Sequence, residues 1–355
     1  MKIDHVHFYC RNAARTRDWF IHQIGFKGIG NWITQDTHTE LVSLNAAHFL
    51  ISAPLTADSP VGRYLARHPA GVADIAFRVQ NLAAVIERAP DLGVEILQQQ
   101  QTRRSPRGDF KLAQINGWQD LRHTLIETTD EPEQSSYLPV EIRPSPLEGL
   151  VSSQITNIDH VVLNVAQGQL NSAVKLYQKL FDLRVQQSFL IQTDKSGLTS
   201  QALIDATGEV QFNINQPTDA NSQIQEFIDF NHGSGIQHLA LRSPDLIADV
   251  ARLQRGGLTF LDVPQAYYQQ LESLSSLTLA EQAAVKKQQI LVDSDRRSPQ
   301  SLLMQIFTQP IFEQPTFFLE FIERRQSAQG FGQGNFKALF EAVERQSKHR
   351  PPIPS

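Results

Sequence analysis

Short apolar runs alternate with turn residues along the chain, and amphipathic helical patterns of about 10–12 residues come only at intervals. This rhythm predicts an α+β protein with mostly antiparallel sheets. Near the N-terminus, IDHVHFYC reads as a strand with Ile3 and His5 on one face and Asp4 and Val6 on the other, and Ala13 to Ile24 follows with helical spacing. The same order returns later, with Ile158 to Leu163 as a strand and Leu170 to Phe181 as a helix. A second pair of segments also matches: GVADIAFRV from Gly71 and GIQHLALRS from Gly235, each followed by a helical pattern, at 81–88 and 245–255. His160 lies 155 residues after His5, and His238 lies 164 after Asp74. Two such similar offsets imply an internal duplication whose halves differ by loop insertions.

Between the halves, Asp130–Gly149 is rich in Pro, Glu and Ser and has no apolar period. The expected organisation is an N-terminal domain over 1–130, a linker over 131–153 with the boundary near Pro146, and a C-terminal domain over 154–349. A chain of 355 residues suits two domains of roughly 150 residues each. The last six residues, RPPIPS, are expected to carry no regular structure.

Composition narrows the class. With 32 Lys and Arg against 37 Asp and Glu, the net charge of −5 offers no basic field for nucleic acid or anionic lipid. A single cysteine, Cys10, excludes an internal disulfide framework and any multi-thiolate zinc site. No apolar stretch reaches the roughly 18 residues of a membrane span, and the N-terminus shows no targeting segment. A cytoplasmic protein is the expectation. Eight of the 20 phenylalanines fall within residues 301–340, which marks either a dense C-terminal core or a pocket for an aromatic ligand.

Three residues of the C-terminal half stand out. His160 lies mid-strand, and His238 does the same in GIQHLAL; a lone histidine in such a place is ordinarily a satisfied core residue. Glu320 is harder to dismiss, because it interrupts the apolar run FFLEFI, where an unpaired charge costs several kcal/mol. Two imidazoles and one carboxylate on three different strands form the facial set of a non-haem Fe(II) oxygenase, with the remaining metal positions open to substrate and dioxygen. Structural zinc, which closes its tetrahedron with four protein ligands, suits the set less well. The N-terminal half has His5 and Asp74 at the first two positions and Thr124 at the third, so it keeps the pattern without the ligand set. His5 and His7 share a strand face, which leaves a metal site there open, but the lack of a third-strand carboxylate weighs against it.

The segments NIDHVVLNV, GSGIQHLAL, LLMQIF, TFFLEFIER and GFGQGNFKALFEAVE, in this order, resemble the 4-hydroxyphenylpyruvate dioxygenase family of the vicinal-oxygen-chelate superfamily. The similarity runs over nearly the whole chain and is strongest from Ile155 to Glu344. It implies two tandem barrels of βαβββ repeats, with Fe(II) held by His160, His238 and Glu320 in the second. It also implies the substrates 4-hydroxyphenylpyruvate and dioxygen, the products homogentisate and carbon dioxide, a place in tyrosine and phenylalanine catabolism, and a homo-oligomer, dimer or tetramer. By the same resemblance, substrate contacts fall to Ser200, Asn215, Gln223, Gln237, Gln305, Phe307, Phe318, Phe331, Asn335 and Phe336. No catalytic residue is implied beyond these and the metal ligands.

Strand parity supports several of these positions independently, since Gln305 and Phe307, Phe318 and Glu320, and Asn213 and Asn215 each share a face. The family pattern has Pro where this chain has Asn213, which adds an amide to the pocket wall. Asp293–Ser301 is longer and more basic than the family's short turn and reads as a surface hairpin. GFGQG, from Gly330, lacks the spacing and the βαβ setting of a nucleotide loop; with the helix expected over about 335–346 it reads as a hinged lid. Three rivals remain at this stage: 4-hydroxymandelate synthase, which oxidises the benzylic carbon of the same substrate, a glyoxalase-like isomerase, and a non-catalytic binding protein of the same fold.

Overall fold

The computed structural model describes residues 1–104, 109–128, 143–149, 151–192, 197–265, 267–269, 276–295, 298–332, 334–335 and 338. The expected lid helix, apart from Asn335 and Ala338, lies outside the described residues, as do Phe336 and the RPPIPS tail.

The first half runs β1 (Lys2–Tyr9), α1 (Ala13–Trp19), β2 (Lys27–Ile33), β3 (Thr37–Leu44), β4 (Ala47–Pro54), α2 (Pro60–Leu65), β5 (Gly71–Arg78), α3 (Leu82–Arg88), β6 (Ile96–Arg103), β7 (Phe110–Asn116), β8 (Arg122–Thr128) and β9 (Arg143–Glu148). The second runs β10 (Ile158–Asn164), α4 (Leu170–Phe181), β11 (Arg184–Gln192), β12 (Gly197–Ile204), β13 (Gln211–Pro217), α5 (Gln223–Asn231), β14 (Gly235–Arg242), α6 (Leu246–Arg255), α7 (Leu279–Gln288), β15 (Leu291–Asp295), β16 (Ser298–Phe307) and β17 (Phe318–Arg324). The strand orders are β6-β7-β8-β5-β1-β4-β3-β2-β9 and β11-β12-β13-β10-β14-β17-β16-β15. Each sheet contains two βαβββ units joined antiparallel at its centre, β1 to β5 and β10 to β14. This is the duplicated α+β architecture that the repeat predicts. Within the segment expected to link the halves, β9 runs antiparallel to β2 at the sheet edge.

Local chemistry sets the helix boundaries. Asn12, Asn81 and Asp245 each accept a backbone N–H three residues on, opening α1, α3 and α6, and Thr278 with Glu281 forms a reciprocal cap on α7. The helix expected over Ala13–Ile24 is α-helical only to Trp19; Phe20–Ile24 widens into a π turn that ends at left-handed Gly25. The wide turn buries Phe20, Ile21 and Ile24 together, and Phe20 meets the rings of Phe8, Phe26 and Phe49 at centroid distances of 5.1–5.6 Å. Asp293–Ser301 spans the β15–β16 hairpin.

One face of each central strand feeds the core. Val161 and Leu163 of β10, Phe212 and Ile214 of β13, Leu239 and Leu241 of β14, and Leu319 and Phe321 of β17 all join the main apolar cluster. By parity, His160 and Asn164, Asn213 and Asn215, His238, and Phe318 and Glu320 take the opposite face. Burying eight large apolar side chains on one side is therefore what aims the polar set at the other. The halves pack through aromatic contacts: Phe8 meets Phe317 at 5.3 Å, and His123 hydrogen-bonds Tyr177 at 3.0 Å.

Candidate metal centre

Three neighbouring strands supply the ligating atoms. Val162 and Ala240 bring His160 and His238 into register across β10–β14, and β17 runs parallel to β14 with Glu320 beside Ala240. Glu320 Oε2 lies 3.2 Å from His160 Nε2 and 3.5 Å from His238 Nε2. The ligating atoms of the three residues all fall within 4.8 Å of one another, and all three side chains are buried. Two neutral nitrogens and a carboxylate at such separations match the donor set and spacing of a single divalent cation. The site also has the supporting contacts a metal needs. His160 Nδ1 is 3.0 Å from Asp159 Oδ1, His238 Nδ1 is 3.3 Å from Gln237 Oε1, and Gln305 Nε2 donates to Glu320 Oε1 at 2.8 Å. Each holds a ligand so that its remaining lone pair points inward.

Electrostatics fit the same reading. Burial works against the Glu320 carboxylate, yet the charge and hydrogen bond of His160, joined by those of His238, hold its pKa down at about 2. Burial likewise opposes charge on His160, but Glu320 and Asp159 push it up to about 9, while burial dominates at His238 and lowers it. The Glu320 carboxylate thus calls for positive charge at the point where the two imidazoles converge.

Around this centre the residues expected from sequence fall into three groups. Phe318 stacks on the His238 ring at 4.8 Å and 17°, and Phe307 meets the same ring edge-on at 6.2 Å. Phe331 is buried and presents an edge to His160 at 5.3 Å. Gln305 bridges Glu320 to the C-terminal segment: it also donates to the Phe331 carbonyl at 3.2 Å and accepts from Asn335 Nδ2 at 2.9 Å. Farther along the same face, Ser200 stands opposite Asn215, and Gln223 opens α5. Gln223 and Gln237 join Phe318 in lining a small pocket at the rim. Asn213 lies between Ala202 and Val162, at the level of His238, and its buried Oδ1 has no hydrogen-bond partner; nor has Nε2 of Gln223. Orphaned amide atoms like these, each costing about 1–3 kcal/mol when left unmade, mark a wall built for a polar ligand. A larger cavity, about 530 Å³, lies between the halves against Arg11, Arg15, Trp19, His68, His232 and Phe312, and none of the three ligand residues lines it.

Sequence reasoning missed Asn164. It is fully buried on the His160 face, accepts from Asn215 Nδ2 at 3.2 Å, and has an unpartnered Nδ2. Its parity with His160, four residues away on one strand, was the available signal.

The chain's own duplicate is a control. Asp74, the counterpart of His238, accepts from Thr124 N–H at 3.0 Å, Thr124 Oγ1 at 2.7 Å and Gln114 Nε2 at 2.9 Å. Hydrogen bonds within the protein thus saturate the carboxylate. Nearby, His7 bonds Ser52 Oγ at 2.7 Å, and burial, against the charge of Asp74, pushes its pKa down to about 3. Its folded pKa lies below the unfolded 6.5, so the unfolded chain binds more protons between those values, and stability falls as pH drops through this window. Unfolding free energies from urea titrations between pH 7 and pH 4 are expected to fall less steeply in His7→Gln, by up to about 1.4 kcal/mol per pH unit. Equal slopes would show that His7 protonates freely in the fold.

Comparison with known proteins decides the family. Residues 3–146 match the Glyoxalase-like domain, and residues 157–272 match the Glyoxalase/Bleomycin resistance protein/Dioxygenase superfamily. The 4-hydroxyphenylpyruvate dioxygenase of Dictyostelium discoideum is 32% identical over 369 residues, covering 98% of each chain. The chain belongs to the 4-hydroxyphenylpyruvate dioxygenase family. As a member of this dioxygenase family it is an enzyme with two tandem vicinal-oxygen-chelate domains. Two further proteins are similar over nearly their whole length. An uncharacterised protein of Synechocystis is 37% identical over 97% of each chain. The solved structure of a 4-hydroxymandelate synthase mutant from Streptomyces coelicolor superposes with a TM-score of 0.84 at 27% identity, covering 98% of each chain. Family membership therefore leaves the carbon that is oxidised to be argued separately. Among the described residues no helix is long and apolar enough to cross a membrane.

Proposed function

We propose that the enzyme holds Fe(II) on His160, His238 and Glu320 and converts 4-hydroxyphenylpyruvate and dioxygen to homogentisate and carbon dioxide. The observation that carries the reading is a buried triad of the right donor set, beside buried amides with unpartnered atoms and with Phe331 set against His160. When bound, Fe(II) supplies chelation of the 2-oxo acid and activation of dioxygen, with the electrons drawn from the substrate's own decarboxylation.

The protein's part is orientation and exclusion of water. One negative charge from Glu320 and one from the substrate carboxylate balance a divalent cation, so the pocket needs no arginine clamp. Phe307, Phe318 and Phe331 line the reacting end with apolar surface beside the two histidines. At the far end Ser200, Asn215 and Gln223 offer neutral hydrogen-bonding groups, which suit a phenol whose ordinary pKa is about 10. Asn213 adds a third amide between that end and the metal.

The second reading, oxidation of the benzylic carbon to 4-hydroxymandelate, is favoured by the likeness to the synthase from Streptomyces. Incubation with 4-hydroxyphenylpyruvate, Fe(II) and ascorbate in air, followed by product analysis, separates the two. Homogentisate is the expected product. Hydroxymandelate would replace the first reading with the second, and consumption of substrate without oxygen would point to an isomerase.

A further inference from the structure

We propose that Arg324 is a positioning residue that couples the metal ligand His160 to the seating of Phe331. Its side chain, only 5% exposed, reaches in two directions at once. Toward the metal centre it grips Asp159 through Nη2 to Oδ1 at 2.6 Å and Nε to Oδ2 at 2.9 Å, and Asp159 Oδ1 is the partner of His160 Nδ1. Toward the C-terminal segment its Nη1 donates to the carbonyls of Gly330 at 2.6 Å and Ala328 at 3.2 Å. The next residue, Phe331, is the ring set edge-on against His160. The backbone folds back far enough to allow this because Gln326 and Gly330 are both left-handed, with φ of 48° and 86°.

The duplicated half separates this role from ordinary strand stabilisation. There too an aspartate precedes the histidine, and Asp4 bonds His5 at 2.7 Å and Arg78 at 2.9 Å. Arg78 occupies the position of Arg242, as the pairings of both with β1 and β10 show. In the metal-bearing half, however, Arg242 stands 4.0 Å from Asp159, and Arg324 makes the close contact instead. The register of β5 with β8, matched to that of β14 with β17, puts Thr128 where the second half has Arg324. The Asp–His–Arg arrangement is therefore common to both halves, whereas among the described residues the arginine that also holds the closing segment is found in the half with the metal ligands, its counterpart being Thr128. A planar guanidinium with five donors in a fixed fork can serve a carboxylate and two carbonyls together; a lysine cannot.

Coupling of this kind must be reciprocal: metal that fixes His160 should steady residues 328–332, and loosening that segment should weaken metal binding by the same factor. The inference rests on the triad as a metal site, and not on which carbon is oxidised. Its test is amide hydrogen exchange on the full chain with and without Co(II), a redox-stable probe, in the wild type, Arg324→Met and Arg324→Lys. In the wild type Co(II) is expected to slow exchange around Phe331 by about tenfold or more, within the usual range of coupling between sites. Arg324→Met is expected to abolish that slowing. Arg324→Lys, which keeps the charge beside Asp159 and so protects folding, is expected to leave at most a small part of it. If Co(II) slows exchange equally in the variants, or does not slow it in the wild type, Arg324 is only structural and the proposal falls. If the wild type fails to bind Co(II) at all, the metal reading of the triad fails first, and the two failures are distinguishable.

Discussion

Replacing Glu320 by alanine is expected to lower metal affinity by more than about 100-fold and to abolish measurable turnover. Loss of a mere supporting partner of a ligand typically costs 10–100-fold, and Glu320 is the only carboxylate in the set. Glu320→Gln is the companion variant. It keeps the side-chain volume and an oxygen to accept from Gln305 Nε2, so the β16–β17 contact survives while the negative charge is lost. Both variants should fold, as read by circular dichroism, and both should bind little Fe(II) by metal analysis after dialysis. Retention of one tightly bound metal and full turnover in Glu320→Ala would reduce the triad to a hydrogen-bonded core cluster. The buried carboxylate would then be explained by its contacts with His160, His238 and Gln305 alone.

The second large effect is expected at Gly332. Its φ of 73° is left-handed, and a Cβ there would strike the Gln305 side-chain amide and Leu303. Gln305 in turn holds Glu320, the Phe331 carbonyl and Asn335, so the displacement passes to the closing segment and one ligand oxygen together. Gly332→Ala is therefore expected to lower kcat by about 100-fold, the usual cost of displacing a catalytic group by about 1 Å. Metal affinity should fall as well, by about tenfold, because Gln305 supports Glu320 and the closing segment is coupled to His160, while His160 and His238 themselves keep their places. Gly168→Ala is the control: its φ of 82° is equally left-handed, but a Cβ there meets nothing within 4 Å. That variant should lose about 1 kcal/mol of stability and no turnover. If both variants have wild-type kcat, closure over Phe331 has no part in the reaction.

Much of this is legible in the sequence. The repeat of a histidine-bearing strand followed by a helix fixes two similar units, because a duplicated core must repeat its apolar pattern. Glu320 announces itself because a carboxylate in the run FFLEFI must be matched by a cation. His160 and His238 were legible only together with it. Other features depend on contacts that no local pattern records. Arg324 reads in FIERR as an ordinary strand-end charge, and its significance lies in a fold-back that brings Gly330 and Ala328 to it. Asn164 looks like any strand amide until β13 places Asn215 beside it. The π turn at Phe20–Ile24 breaks the helical period because three apolar side chains compete for one core. Asp74 could be read as a possible ligand, and only the register of β7 and β8 reveals Thr124 and Gln114 already satisfying it.

The central claim is that one divalent metal sits on the second half alone, between β10, β14 and β17. Anomalous scattering at the iron edge, from crystals loaded anaerobically with Fe(II), tests it most directly. The expected map has one peak per chain, about 2.0–2.2 Å from His160 Nε2, His238 Nε2 and a carboxylate oxygen of Glu320, as for divalent-metal bonds to nitrogen and oxygen. A peak beside His5 or His7, or none near Glu320, would contradict the account.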